Sequence, residues 1–283
     1  MNTLFLAAQY LNFHRWRTVI LIAAVTLVMY LPLALHVIVS ESSDQLTRRA
    51  DATPLLLGHS GSPVELTLSA LYFSSTENPP LTYAAVDLLE NSGLADAIPL
   101  HTRFRSRGFP IVGTRLDYFA FRDLTPRQGR LFLLPGEAVI GARVAEQLQL
   151  SIGDSLISSP ETVFDVSGVY PLKMTVVGIL RPAHSPDDSA ILVDIRTSWI
   201  IQGLVHGHQD LTRPDARGTI LKRDGENIVA NASVIKYNEI TAENLASFHF
   251  HGDSSSYPVN AVIPVTGNDR DKALLLGRFT GHS

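Results

Sequence analysis

Residues 136–154 read GEAVIGARVAEQLQLSIGD, and the way this stretch folds decides the class of the domain around it. Ala138 to Ile140 make a short apolar run and Gly141 relieves a tight turn. Val144, Leu148 and Leu150 recur at a spacing that packs one helix face, and Ile152 leads into a Gly153-Asp154 turn. Strand, turn, helix, turn is an α/β unit. A glycine at a strand-to-helix junction also invites a phosphate reading. A phosphate loop, however, needs a GxxxxGK[ST] run whose backbone donors and lysine grip the anion, and the chain contains none. The stretch is expected to build a wall, and the chain is not expected to hydrolyse ATP or to act as an enzyme.

Outward from this stretch, the 283 residues are 45% hydrophobic and 18% charged with a formal net charge of −4. That is enough apolar chain for one large domain or two small ones with a real core. The acidic balance leaves no electrostatic footprint for nucleic acid, so no such partner is expected. The absence of cysteine excludes disulfides and thiolate metal sites, and permits an extracytoplasmic location without arguing for it.

Thr18 to Val39, TVILIAAVTLVMYLPLALHVIV, carries no Asp, Glu, Lys or Arg. At about 1.5 Å per residue it is long enough to cross a hydrocarbon core of about 30 Å. Pro32 and His36 interrupt its apolar character, and a proline in a spanning helix points to neighbouring helices that satisfy the freed carbonyl. A cleaved signal peptide has a shorter apolar region and a small-residue cleavage site, which LHVIVSES does not supply. Arg15 and Arg17 abut the run on one side. On the other, Glu41 and Asp44 precede Arg48 and Arg49, so the expected orientation has the N-terminus in the cytoplasm and the bulk of the chain outside. Before the span, Leu4, Ala7, Ala8 and Leu11 with Tyr10, Phe13 and Trp16 read equally as a helix lying on the membrane surface or as an extension of the span. After it, no helix breaker occurs before Pro54, so the helix is expected to continue outward as a stalk.

From about residue 52 short apolar runs alternate with Gly, Pro, Ser and Asp, the texture of a mixed α/β (α+β) domain. TPLLLGHSGSPVELTLSALYF reads as two strands around a Gly-Ser-Pro turn. In LTYAAVDLLENSGLADAIPL, Thr82 is placed as an N-cap, Val86 and Leu89 on one helix face and Gly93 at the stop. A second βαβ-like unit is read from NIVANASVIKY, a short helix opening at Thr241 and running through Leu245, and the returning strand YPVNAVIPV. Between the two lies a β-rich insert. The expected organisation is an interfacial segment 1–17, a transmembrane helix 18–40, a stalk 41–51 and an extracytoplasmic core 52–283. Within the core, 52–120 and 216–270 form βαβ-like halves around an insert at 121–215.

This order of pieces resembles the permease subunits of ABC transporters of the MacB, LolC/LolE and FtsX type, with a MacB-like periplasmic core domain. The residues that carry the resemblance are the basic amphipathic start before one span, GSPVELTLSALYF after it, GRLFLLPGEAVIGARVAEQLQLSIGDSLI, and VVGIL at Val176 to Leu180. It implies a permease subunit, or an N-terminal fragment of one, in a bacterial inner membrane. ATP hydrolysis by a separate cassette ATPase would drive its outer domain to export or extract lipoprotein, amphipathic or peptide cargo. Implied partners are that ATPase, a second permease copy or paralogue in a dimer, the membrane, and a periplasmic partner or cargo. No cofactor is implied. The family carries three further spans after the core, which this sequence lacks. The alternative function is a membrane-anchored extracytoplasmic binding module working without an ATPase, with a metal-related role among its options.

No catalytic or cofactor-binding residue is assigned. His206 and His208 form one H-x-H pair, His249 and His251 another, and His184 lies near Asp187 and Asp188. Imidazole with carboxylate suits zinc, and residues i and i+2 of a strand share a face. Against a metal centre, each cluster sits in a polar segment and nothing in the sequence brings them together, so His184, Asp188, His206, His208, His249 and His251 stand as weak candidates only. HTRFRSRGF places Arg103, Arg105 and Arg107 on one strand face, read as a charged edge that discourages strand pairing. GHSGS at 58–62 has serine where a nucleophile elbow needs its last glycine.

Overall fold

The computed structural model describes residues 2–74, 79–159, 171–207, 220–224, 227–230, 238–241, 244–245, 248–250 and 253–280. The chain divides into two units, 1–54 and 55–283. In the first, α1 (Asn2–Phe13) and α2 (Arg15–Asp51) are separated only by His14. The Thr18 hydroxyl closes this joint by donating to the carbonyls of Leu11 and His14. Within α2, Arg15–Glu41 contains an 18-residue window of mean hydropathy 2.4 and is the one segment among the described residues long and apolar enough to cross a membrane. The helix passes Pro32 and continues to Asp51, 37 residues in all. Such a helix is roughly 55 Å long, nearly twice the hydrocarbon thickness, so it must extend well beyond one membrane face.

The second unit is a sheet covered by helices. Its strands in chain order are β1 (Leu57–Gly58), β2 (Leu81–Thr82), β3 (Ala95–Ser106), β4 (Phe109–Thr114), β5 (Pro126–Gly129), β6 (Glu137–Ile140), β7 (Ser155–Ile157) and β8 (Leu172–Leu180). There follow β9 (Ile191–Asp194), β10 (Val205–Gly207), β11 (Ile220–Asp224), β12 (Asn227–Ala230), β13 (Asn238–Glu239), β14 (Phe248–Phe250), β15 (Pro258–Val259) and β16 (Ala261–Thr266). The helices are α3 (Pro63–Tyr72), α4 (Ala84–Asn91), α5 (Asp117–Phe121), α6 (Ala142–Leu148), α7 (Ile195–Ile201) and α8 (Asp269–Thr280). The main sheet runs β1-β16-β3-β4-β9-β6-β8-β13, with β5 and β7 also paired to β8. Strands β4 and β9 are parallel, as are β6 and β8, while β16 is antiparallel to both β1 and β3.

Successive residues of the central strands enter opposite cores. Ile111, Ala138, Ile140, Ile191 and Val193 join Val86, Leu89, Val144 and Trp199 on one face; Val112, Val139 and Leu192 join Ala70, Tyr118 and Phe119 on the other. Helices on both faces explain why AVI at 138–140 and ILV at 191–193 are apolar without alternation. The stretch 136–154 folds as its spacing predicts. Val144 is fully buried, and Leu148 and Leu150 pack partly buried against the same core. The Gly153 turn, at φ 92°, docks on β8: Gly153 N donates to Val176 O, and Val176 N to Asp154 O.

Three expectations need correction. PVELTLSALY is helix α3, not a strand, because Ser62 accepts from Glu65 N and Pro63 occupies the first turn, a start signal that overrides the β-like spacing of Val64, Leu66 and Leu68. Thr82 belongs to β2, and the helix after it is capped at Tyr83; Val86 and Leu89 are buried as expected, and Gly93 follows at φ 67°. Arg103 and Arg105 lie on the part of β3 that pairs with β4, beyond the β16 register that ends at Leu100, while Arg107 is not on the strand but at φ 48° in the hairpin turn with Gly108. Strand β9 of the middle section pairs directly with β4, so the middle section contributes strands to the same main sheet as β3 and β4.

Candidate functional site

Parallel strands β4 and β9 end side by side, with Thr114 opposite Asp194. Each hands over to a helix, β4 through Arg115 and Leu116 to α5 and β9 directly to α7. The carboxyl ends of adjacent parallel strands are where α/β sheets open crevices. Here a cavity of ≈ 610 Å³ is lined by Tyr83, Arg115, Leu116, Phe132, Leu133, Asp194, Ile195, Arg196, Trp199 and Ser254.

Trp199 anchors its apolar side. The indole Nε1 donates to Pro258 O at 2.9 Å, and the ring meets Tyr83 and Tyr257 edge-on at 5.3 and 5.1 Å between centroids. Phe132 is buried against Phe119. The loop that carries Leu133 is held by Glu137, whose carboxylate accepts from Leu133 N, Leu134 N and Arg130 Nη1. The bond to Arg130 is the main reason the Glu137 pKa lies below the usual carboxylate range.

The polar side is charge-paired. Asp194 caps α7 by accepting from Arg196 N and is bidentate with the Arg196 guanidinium, at 2.8 Å to each carboxylate oxygen. Arg115 donates to Glu90 Oε1 at 2.8 Å and Asp117 Oδ2 at 2.7 Å. Burial alone works against the Arg115 charge, but these two carboxylates outweigh it and raise its pKa. Burial likewise raises the Tyr83 pKa, partly offset by Arg115. An apolar floor beside ion-paired arginines suits a molecule with apolar and polar parts. Sequence reasoning missed this site. The one local signal is the twin R-x-D and D-x-R spacing of Arg115/Asp117 and Asp194/Arg196; that the two meet depends on a long-range strand pairing.

At the glycine junction quoted at the outset, a Cβ on Gly141 would lie 2.3 Å from the backbone oxygens of Asp187 and Asp188, and Gly141 N donates to Ala190 O, so the glycine serves a close backbone approach.

Of the histidine candidates, His184 lies in a loop at φ 52°, and Asp188 Oδ1 accepts from Ala183 N to close that loop. His206 is on β10 and His249 on β14. His208 and His251 fall outside the described residues. Among the described residues no group of three or more His, Cys, Asp or Glu side chains is placed to hold a metal ion.

The family model of the MacB-like periplasmic core domain matches residues 18–233. No curated protein matches the chain. The chain is similar to the extracellular domain of the ABC-type transporter YknZ from Gram-positive bacteria, at 14% identity and TM-score 0.40, covering 75% of this chain and 94% of that one. It is also similar to the periplasmic region of MacB from Actinobacillus actinomycetemcomitans, at 10% identity and TM-score 0.42, covering 82% and 88%. Neither superposition is close enough to carry a residue-level argument. The family match spans most of the sequence, and the chain belongs to the family of the MacB-like periplasmic core domain.

Proposed function

We propose that this chain is a permease subunit, or the N-terminal portion of one, of an ABC transporter in which a separate cassette ATPase drives movement of the extracytoplasmic domain. The N-terminus faces the cytoplasm, α2 anchors the domain in the bacterial inner membrane, and a second permease copy or paralogue completes a dimer. The observation that carries the reading is the family match over 18–233 on a chain whose span and following turns form one uninterrupted helix, Arg15–Asp51. A continuous helix transmits displacement along its axis without losing it in a hinge. Residues 18–40 would be the span and 41–51 the stalk. The cavity at the ends of β4 and β9, apolar beside charge-paired, supports an amphipathic, lipoprotein or peptide cargo.

The test is capture of the tagged chain from native membranes in mild detergent, followed by ATPase assay. Co-purification of a cassette ATPase whose turnover rises when the permease is present supports the reading. A chain that stays in the membrane and brings down no ATPase overturns it in favour of a binding module acting alone.

A further inference from the structure

The charges around the cavity at the ends of β4 and β9 do not cancel. Both guanidiniums of its wall are engaged by protein carboxylates. Arg196 donates Nε and Nη2 to the two oxygens of Asp194, while Arg115 donates Nε and Nη2 to Asp117 Oδ2 and Nη1 to Glu90 Oε1. An anionic ligand would have to compete with these charge-assisted bonds. Asp87 adds a further negative charge: burial is the main reason the Tyr83 hydroxyl holds its proton, and the carboxylates of Glu90 and Asp87 reinforce it against Arg115. The carboxylates of Asp87, Glu90, Asp117 and Asp194 thus outnumber the guanidiniums of Arg115 and Arg196, and the wall is net negative.

Two further observations point to a ligand that is positive at one end and apolar at the other. Asp117 Oδ1 is buried with no hydrogen-bond partner among the described residues, so the unspent capacity next to Leu116 is that of an acceptor, which a donor-bearing cation satisfies. The opposite side is aromatic, with Trp199 and Phe132 buried and Tyr83 edge-on to the indole. Such rings offer apolar area and attract organic cations. A volume of ≈ 610 Å³ accommodates a small organic molecule.

We propose that the cavity selects a small amphipathic cation, an organic ammonium with an aryl or alkyl body, over anions of the same size. The inference deepens the cargo reading given above and rests on it in taking the cavity as a binding site. The competing explanation is that the ion pairs only hold α4, α5 and α7 at the strand ends, in which case the cavity is indifferent to ligand charge.

The experiment uses the full chain in nanodiscs of zwitterionic lipid near neutral pH, with Trp16→Phe as background so that Trp199 is the sole tryptophan and reports locally. Phenylbutylammonium, phenylbutanol and phenylbutyrate are titrated against its fluorescence, with empty discs to subtract partitioning. Saturable binding of the ammonium is expected, at least about tenfold tighter than that of the butyrate, with the alcohol between them. Asp194→Asn keeps a capping side chain on α7 but removes one charge, and Glu90→Gln removes one at a half-exposed position where Asp117 still pairs Arg115. Each is expected to weaken the ammonium by about threefold and to narrow its lead over the butyrate. Butyrate binding as tightly as the ammonium overturns the charge selection and leaves the cavity as a cargo site. A preference unchanged in both variants also overturns it. No saturable response to any of the three probes overturns both the inference and the cargo role of the cavity, whereas the transport reading itself stands or falls on ATPase co-purification.

Discussion

At Gly141 the missing side chain is what lets β6 turn into α6 beneath the 186–189 turn. Any Cβ there meets two backbone oxygens at 2.3 Å, and neither belongs to a flexible group that can swing away. Gly141→Ala is therefore expected to destabilise the outer domain by about 1–3 kcal/mol, the usual cost of overpacking, read as a lower denaturation midpoint. His101, 1% exposed on β3, acts through charge. Burial, reinforced by Arg103 and opposed by Gln202, lowers its pKa from 6.5 to about 4. The fold thus holds the neutral form, while the unfolded chain takes up a proton near pH 6.5. The stabilising contribution is complete above that pH and is lost as pH falls towards 4, with a slope approaching about 1.4 kcal/mol per pH unit. Urea melts between pH 7.5 and 4.5 should show a steeper acid-side loss in the parent than in a His101→Leu variant.

Among the elements, the central strands were legible because burial on both faces leaves continuous apolar runs, AVI at 138–140 and ILV at 191–193. Helix α6 was legible from Val144 and Leu148. Helix α3 was not: Val64, Leu66 and Leu68 alternate as a strand would, and only the Ser62-Pro63-x-Glu65 start marks the helix. Its cap is a single Ser62 contact of 3.4 Å at an exposed position, so Ser62→Ala should cost about 0.5–1 kcal/mol, at the low end for N-caps, measured as a shift in denaturant midpoint. Of the arginines of HTRFRSRGF only Arg107 was misplaced: the turn with Gly108 ends the alternation that Arg103 and Arg105 keep on β3.

For the whole molecule, composition and one apolar run were enough to separate an anchor from a domain, whereas the cavity was hidden. It needs β4 beside β9, a pairing that joins distant segments and that no local pattern encodes. The anchor yields the broadest prediction. With an 18-residue window at a mean hydropathy of 2.4 inside a 27-residue apolar segment, the chain should stay with the membrane pellet through alkaline carbonate and be released only by detergent. Recovery of a soluble protein beginning near Ser40 would refute it. The order of the sheet carries one more consequence. Strand β1, the first after the helical unit, is zipped to β16, the strand that leads into α8. Both ends of the domain are thus fastened in a single clasp at one margin, with Leu57 against Val262 and Gly58 against Ala261. Tension arriving along either terminus is shared at that clasp before it reaches β8 and β13 on the opposite margin, so the body would swing as a whole instead of unravelling strand by strand.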